Sequence, residues 1–254
     1  MNNNNNNNKI LIEQRFTKAL HTYKKNASMQ IYMANELLTL IKKISNKEEF
    51  KDIFEFGCGC GLLTNEFLKK YDFTSYLAND IVEKCSDYML QMSKKIDFIC
   101  GDIEKINIDK KFDLIISNAT FQWLNNPNET IKTLISHLKP AGILAFTTFG
   151  INNFKELKQL GYGLDYMDIK SLKSLFGNNQ DNLFIKEEIK TLKFNTPYEV
   201  LKHIKLSGVN AIKKSSFTKS KLNKLIDDYY KYFKINSENL VSLTYHPIYI
   251  IYQM

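Results

Sequence analysis

Three alternating glycines end an apolar run in the segment Ile53-Phe54-Glu55-Phe56-Gly57-Cys58-Gly59-Cys60-Gly61. The pattern predicts a buried strand and a tight turn, where a ligand can approach the backbone because glycine has no Cβ. The dinucleotide fingerprint Gly-x-Gly-x-x-Gly places its third glycine one residue later, so the spacing disfavours a nicotinamide cofactor. On this motif alone, an ordinary glycine-rich strand-to-helix turn remains the alternative.

Polar side chains end three later predicted strands: Asp80, Asp102 and Asn118. The carboxyl ends of parallel strands meet at one edge of a sheet, so these side chains and Glu55 are expected to converge on one site. Asp80 lies 19 residues after Gly61, the spacing at which a carboxylate binds a ribose diol, and the Asp102 carboxylate is suited to accept a hydrogen bond from an adenine amino group. Singly, each residue is more typical of a helix cap or turn. Together they predict a nucleoside site.

Residues 50–150 resemble the class I methyltransferases that use S-adenosylmethionine. The resemblance implies that the glycine turn lies under the methionine part of the cofactor, that Asp80 holds the ribose and that Asp102, with Ile103 beside it, contacts the adenine. The cofactor-binding residues it implies are Glu55, Gly57, Gly59, Gly61, Asp80, Ile81, Asp102, Ile103 and Asn118.

A narrower resemblance covers almost the whole chain and is to the malonyl-acyl-carrier-protein O-methyltransferases of biotin synthesis. It rests on segments in the same order along the chain, among them Arg15-Phe16-Thr17-Lys18-Ala19, Gly101-Asp102-Ile103-Glu104, Ser117-Asn118-Ala119-Thr120-Phe121-Gln122-Trp123, Ser207-Gly208-Val209 and Leu243-Thr244-Tyr245-His246. The trans-aconitate methyltransferases share an Asn-Ala-x-Phe-Gln-Trp segment, so those residues alone leave the substrate open.

The expected fold is α/β, a Rossmann-like doubly wound seven-stranded sheet whose last strand is antiparallel. N-terminal lid helices and a mainly helical insertion before the final strands complete it. Within one methyltransferase domain over 9–254, the expected parts are lid helices at 9–45, a cofactor-binding core at 50–150, a substrate-side insertion at 151–238 and a final strand at 239–254. A disordered asparagine tail is expected at 1–8. Single strands are predicted over 183–194 and over 240–252.

The formal net charge is +8, and 34 of the 35 basic residues are lysines. Base readout favours the planar fork of arginine, so nucleic acid is not an expected partner, whereas a basic surface attracts an acidic protein such as an acyl carrier protein. The four cysteines lack zinc-site spacing, so no metal is expected. No apolar run reaches the roughly 18 residues of a membrane span, and a cytoplasmic location is expected.

Methylation of a carboxylate needs no general base, because the carboxylate is already ionised at pH 7. The substrate-orienting candidates are Arg15, Tyr23, Gln122 and Trp123. Arg15 offers a bidentate guanidinium to a carboxylate, with a surface salt bridge as its alternative. Trp123, the only tryptophan, is expected to form an apolar wall, with a simple core role as its alternative.

The resemblance implies methyl transfer from S-adenosylmethionine to the free carboxylate of a malonyl thioester, carried on acyl carrier protein or coenzyme A, with S-adenosylhomocysteine as the second product. The methyl ester would prime pimeloyl and biotin synthesis. Two alternatives stay open: a methyltransferase for a free acid such as trans-aconitate, and a non-catalytic module that binds an adenosine cofactor. Candidate lysines for docking an acidic carrier are Lys202, Lys205, Lys213 and Lys214.

Overall fold

A computed structural model describes residues 3–207, 218–235 and 239–254 of the chain. The helices of these residues are α1 (Asn3–Asn26), α2 (Ser28–Ser45), α3 (Leu62–Phe67), α4 (Cys85–Met92), α5 (Pro127–Ser136), α6 (Lys155–Gln159), α7 (Ile169–Ser174), α8 (Pro197–Leu206) and α9 (Lys219–Phe233). The strands are β1 (Glu49–Phe56), β2 (Asp72–Asp80), β3 (Ile96–Cys100), β4 (Phe112–Ser117), β5 (Leu138–Phe149), β6 (Leu183–Glu187), β7 (Lys190–Phe194), β8 (Lys234–Ile235), β9 (Leu240–Tyr245) and β10 (Pro247–Gln253).

The main sheet has seven strands in the order β3-β2-β1-β4-β5-β10-β6. Strands β1 to β5 pair in parallel, and β10 lies antiparallel to both β5 and β6. The predicted fold class, with its antiparallel last strand, is confirmed. The strand order reverses between β1 and β4, and ligands of open α/β sheets bind at the carboxyl ends of the strands at such a switch point.

The central strands are buried on both faces of the sheet. Alternate residues of a strand point to opposite faces, so Ile53 packs in the hydrophobic cluster that contains Leu37 of α2, whereas Phe54 packs in the cluster that contains Ile131 of α5. Burial on both faces explains why these strands read as nearly continuous apolar runs in the sequence.

Three helices of the C-terminal half begin at a side chain that caps the first turn. Asp168 accepts a hydrogen bond from the backbone N–H of Ser171 at the start of α7. The Thr196 side chain accepts a hydrogen bond from the backbone N–H of Glu199 at the start of α8, and the Thr218 side chain accepts one from Lys221 at the start of α9. Such caps satisfy one of the free N–H groups of a helix start, and they explain where these helices begin.

The single strands predicted over 183–194 and 240–252 are wrong, because each is divided between two sheets. The first stretch is divided at 188–189 into β6 and β7, and the second is divided at His246 into β9 and β10. Strands β6 and β10 join the main sheet, whereas β7 and β9 form a second, three-stranded sheet with β8. The insertion therefore contributes strands to both sheets beside its helices α6 to α9. The chain bends at His246, whose backbone N–H donates to the Asn153 side chain and whose Nε2 lies 2.8 Å from Glu187 Oε2.

The two N-terminal helices differ in their packing. Helix α1 begins at Asn3, within the tract at 1–8 for which a disordered tail is predicted. Helix α2 packs its apolar face on the sheet through residues such as Met33 and Leu37, so it is part of the core rather than a lid. In the described residues, no helix combines the length and hydrophobicity that a membrane span requires.

Four residues of the sequence-based predictions lie outside the described residues. They are Gly208 and Val209 of the family-like segment and the docking candidates Lys213 and Lys214.

We predict that Glu156→Ala lowers the free energy of unfolding by about 2–4 kcal/mol. The Glu156 carboxylate is 1% exposed and accepts hydrogen bonds from Ser242 Oγ, Thr244 Oγ1 and the Thr244 backbone N–H, which ties α6 to β9. The substitution leaves the two buried donors of Thr244 and the half-buried Ser242 hydroxyl without this partner. Urea unfolding measures the change, and Glu129→Ala, at an exposed position, serves as the matched control; equal effects of the two substitutions would contradict the prediction.

Candidate active site

The glycine turn after β1 is built in the left-handed backbone region. Gly57, Gly59 and Gly61 have φ angles of 66°, 55° and 75°, which L side chains adopt only under strain. The Gly61 backbone N–H donates to the Cys58 carbonyl at 2.9 Å and closes the turn. The alternating glycines therefore meet a conformational requirement of the backbone.

Each glycine also has a close neighbour on the side where a Cβ would stand. A Cβ on Gly57 would lie 2.3 Å from the Thr120 side chain, and one on Gly61 would lie 2.3 Å from Met92. A Cβ on Gly59 would lie 3.1 Å from Phe16 of α1. Gly57 and Gly59 line a cavity, whereas Gly61 packs against the core beside it.

Asp80, at the end of β2, holds the turn in place. Its Oδ2 accepts the Gly59 backbone N–H at 2.8 Å, and its Oδ1 accepts the Val82 backbone N–H at 2.9 Å. Burial raises the pKa of the Asp80 carboxyl above its ordinary value, and the two backbone hydrogen bonds oppose that shift. Each carboxylate oxygen has two acceptor positions, so Asp80 keeps capacity for a ligand hydroxyl while it orders the turn.

Glu55, the last acidic residue of β1, lies at the floor of the cavity and is 1% exposed. Its Oε2 accepts hydrogen bonds from Thr64 Oγ1, at 2.5 Å, and from the Tyr76 hydroxyl. Burial raises the pKa of the Glu55 carboxyl to about 7, against these two hydrogen bonds, which lower it. A cationic ligand group would favour its ionised form.

Asp102 and Ile103 line the cavity after β3. Lys9 of α1 reaches the same place, and its Nζ lies 2.5 Å from Asp102 Oδ1. Lys9 is not among the site residues predicted from the sequence, because nothing in its local pattern indicates a partner 93 residues away. The pair places a cation from the N-terminal helix at the Asp102 end of the cavity.

Asn118 forms a fixed wall of the cavity. Its Nδ2 donates to the Gln30 carbonyl at 2.9 Å, and its Oδ1 accepts from Thr147 Oγ1 at 2.6 Å. Thr147 Oγ1 in turn accepts the Ala119 backbone N–H at 2.8 Å. Asn118 thus joins α2, β4 and β5 at the edge where the cavity opens.

Helix α1 covers the cavity with Arg15, Phe16 and Tyr23. Phe16 and Tyr23 pack edge to face with their ring centroids 5.1 Å apart. Arg15 is half-buried and forms no ion pair with any side chain that the structure describes, so none of these side chains provides the salt bridge that is its alternative role. Burial raises the pKa of the Tyr23 hydroxyl, which keeps it protonated and able to donate a hydrogen bond.

Gln122 and Trp123 occupy a 3₁₀ turn after β4, and the structure separates them. Trp123 lines the cavity, whereas Gln122 does not. The Gln122 amide donates to the Ala119 carbonyl at 2.6 Å, and its oxygen lies 3.3 Å from Thr148 Oγ1. Gln122 therefore braces the turn that carries Trp123.

The cavity brings together most of the residues predicted from the sequence. It includes Arg15, Tyr23, Glu55, Gly57, Gly59, Asp80, Ile81, Asp102, Ile103, Asn118 and Trp123, and it leaves out Gly61 and Gln122. Further lining residues that the sequence analysis did not assign to the site are Lys9, Phe16, Cys58, Leu62, Leu63, Asn79, Gly101, Ala119, Thr120 and Leu124. Four of these residues, Phe16, Gly101, Ala119 and Thr120, belong to the segments that carry the family resemblance, which is the signal in the sequence that could have identified them.

The fold and the matching domain define the class of the protein. Residues 54–146 match the family described as "Methyltransferase domain". The solved YcgJ protein of Bacillus subtilis has the same fold, with a TM-score of 0.61 and 13% identity over 86% of this chain and 97% of that one. The chain therefore contains a methyltransferase domain with a Rossmann-like fold.

Two curated relatives define the family. A malonyl-[acyl-carrier protein] O-methyltransferase of Calditerrivibrio nitroreducens is 37% identical over 240 residues, 94% of this chain and 94% of that protein. One of Haemophilus influenzae is 32% identical over 252 residues, 99% of this chain and 96% of that protein. The chain belongs to the malonyl-[acyl-carrier protein] O-methyltransferase family.

We predict a pH dependence of stability from Glu55. Its pKa is higher in the folded protein than in the unfolded chain, so the folded state binds more protons between about pH 4.5 and 7. The contribution of Glu55 to stability is fully present below about pH 4.5 and is lost as the pH rises through about 7, by up to about 3 kcal/mol.

Glu55→Gln should therefore flatten the fall of the unfolding free energy between pH 4.5 and 7 in the ligand-free protein, measured by urea unfolding at a series of pH values. The exposed Glu129→Gln should leave that fall in place. A parallel fall in the wild type and in Glu55→Gln would show that burial does not control the ionisation of Glu55.

Proposed function

We propose that this chain transfers the methyl group of S-adenosylmethionine to the free carboxylate of a malonyl thioester on acyl carrier protein, giving the methyl ester that primes pimeloyl and biotin synthesis. Family membership over nearly the whole chain supports this function. The observation that carries it is the cavity itself, which combines acidic side chains suited to an adenosine cofactor with a half-buried arginine suited to a carboxylate.

The residues of the cavity fit S-adenosylmethionine. The turn at Gly57 and Gly59 exposes backbone without Cβ atoms, and Asp80 retains acceptor capacity for a ribose hydroxyl. Ile81 and Ile103, which directly follow Asp80 and Asp102 in the sequence, supply apolar wall to the cavity. When bound, S-adenosylmethionine would supply a methyl group on a positively charged sulfur: the substrate carboxylate oxygen would bond to the methyl carbon as the carbon–sulfur bond breaks, and the neutral thioether would leave as S-adenosylhomocysteine.

The protein residues align the substrate and exclude water. The substrate carboxylate is ionised at neutral pH, so no residue has to remove a proton. Arg15 can hold that carboxylate with two parallel hydrogen bonds, and Tyr23 can donate one more from its protonated hydroxyl. Alignment of two reactants in a closed site supplies about 7–11 kcal/mol of barrier reduction in favourable cases.

The carrier would dock beside the lid. Helix α8 packs against α1 and carries Lys202 and Lys205, which are exposed and form no ion pair within the described part of the chain. Exposed lysines without partners attract an acidic protein and steer its approach. An acyl carrier protein delivered at this face would bring its thioester to the side of the cavity that α1 covers.

Methyl transfer from labelled S-adenosylmethionine tests the function, with malonyl-acyl carrier protein as the acceptor. Acetyl-acyl carrier protein, which lacks the free carboxylate, is the matched control; malonyl-coenzyme A and trans-aconitate are the competing acceptors. We expect base-labile ester on malonyl-acyl carrier protein and no label on the acetyl form. Transfer to trans-aconitate alone would contradict the proposed substrate. Cofactor binding without transfer to any acceptor would favour a non-catalytic binding module.

We predict that Arg15→Lys lowers kcat/KM for the malonyl substrate about 10- to 100-fold, because a lysine cannot form the paired hydrogen bonds of a guanidinium. The dissociation constant for S-adenosylhomocysteine should change less than about threefold, since Arg15 is assigned to the substrate. Steady-state kinetics and calorimetry measure the two effects. Lys18→Arg, at an exposed position of the same helix, is the control, and full turnover by Arg15→Lys would remove the assignment.

A further inference from the structure

Lys9 connects the lid helix to the loop after β3 through two carboxylates. Its Nζ lies 2.5 Å from Asp102 Oδ1 and also contacts Glu104 Oε2. The side chains of Lys9, Asp102 and Glu104 are 12%, 11% and 7% exposed. Exposed ion pairs contribute little, but removing one partner of a buried pair leaves an uncompensated charge and is strongly destabilising.

Besides Lys9, the Glu104 carboxylate binds the backbone of the segment between the 3₁₀ turn and α5. Its Oε2 accepts the Asn125 backbone N–H at 3.1 Å, and its Oε1 accepts the Asn126 backbone N–H at 2.5 Å. These two residues follow the 3₁₀ turn that carries Trp123 and precede α5. One carboxylate therefore joins α1, the loop after β3 and the segment behind the Trp123 wall.

Asp102 keeps one oxygen for a ligand while it is bound to Lys9. Its Oδ1 accepts from Lys9 Nζ and from the Glu104 backbone N–H at 3.1 Å. Its Oδ2 accepts no hydrogen bond from the residues that the structure describes, and the side chain lines the cavity. The ion pair and a ligand amino group can thus use different oxygens of the same carboxylate.

We propose that Lys9 and Glu104 are positioning residues that retain the cofactor, by clamping α1 and the Trp123 segment over the Asp102 end of the cavity. This inference rests on the proposed function, because it takes S-adenosylmethionine and its product as the retained ligands. Lys9 supplies one positive charge that the Asp102 and Glu104 carboxylates share, and Glu104 fixes the wall that the lid closes against. Neither residue takes part in the transfer itself.

The test measures how fast labelled S-adenosylmethionine leaves the full-length protein, without acceptor and with excess unlabelled S-adenosylhomocysteine as the chase. We expect Lys9→Met to dissociate the ligand about 10- to 100-fold faster than the wild type, with an association rate that is not lower. Lys9→Arg, which keeps the charge, should restore slow dissociation. Lys18→Met, at an exposed position of the same helix, should behave as the wild type.

Glu104→Gln provides an independent variant, because it removes the charge that binds Lys9 but keeps an oxygen for a backbone N–H. It should also dissociate the ligand faster, and a second substitution of Lys9 should add little to its effect. Circular dichroism of the ligand-free variants identifies any that fail to fold.

Three results would overturn the inference. Wild-type dissociation rates in both Lys9→Met and Glu104→Gln would show that the clamp does not retain the ligand. Tighter binding by Lys9→Met would show that Lys9 competes with the ligand for Asp102, and failure of Lys9→Arg to restore retention would show that the charge is not the cause. The proposed function fails separately, if the wild type does not bind the cofactor or does not methylate the malonyl carrier.

Discussion

The Asp80 carboxylate, at the end of β2, is the group on which the site depends. It accepts the backbone N–H of Gly59 at 2.8 Å and that of Val82 at 2.9 Å, so it fixes the turn after β1 to the neighbouring strand. A turn of glycines has a large conformational entropy to lose, and hydrogen bonds to a carboxylate are among the stronger ones available to hold it. The cavity floor is therefore preformed, because its most flexible segment is tied to the sheet.

The cavity differs in construction between its floor and its roof. The floor comes from consecutive strand ends, whose positions follow from the parallel sheet. The roof comes from α1 and from the turn that carries Trp123, which are more than 90 residues apart in the chain and meet at Glu104 through Lys9. Electrostatic contacts, rather than a continuous hydrophobic core, thus hold the roof at its Asp102 end.

Much of the floor could be predicted from the sequence, because its signals are local: an apolar run, a glycine spacing and an acid at each strand end. Of the roof, Arg15, Tyr23 and Trp123 were predicted, but the ion pairs that fix it were not, since nothing in the sequence near Lys9 identifies its two carboxylate partners. Gln122 illustrates the same limit, because an amide after a strand can equally face a ligand or, as here, the Ala119 carbonyl. The division of the two long C-terminal strands was also hidden, because a bend between sheets leaves the β pattern of the sequence unchanged.

The bends at 188–189 and His246 have a consequence for how the fold can be modified. Strands β6 and β7 are consecutive, as are β9 and β10, and each pair contributes one strand to each sheet. The material between β5 and β10 is therefore not a removable module: deleting it as a block would take the edge strand β6 from the main sheet and expose β10 as a new, apolar edge. A chimeric protein that takes part of the insertion from a relative would keep these strand pairs if its crossover points lay within α8 and α9 rather than at the ends of the insertion.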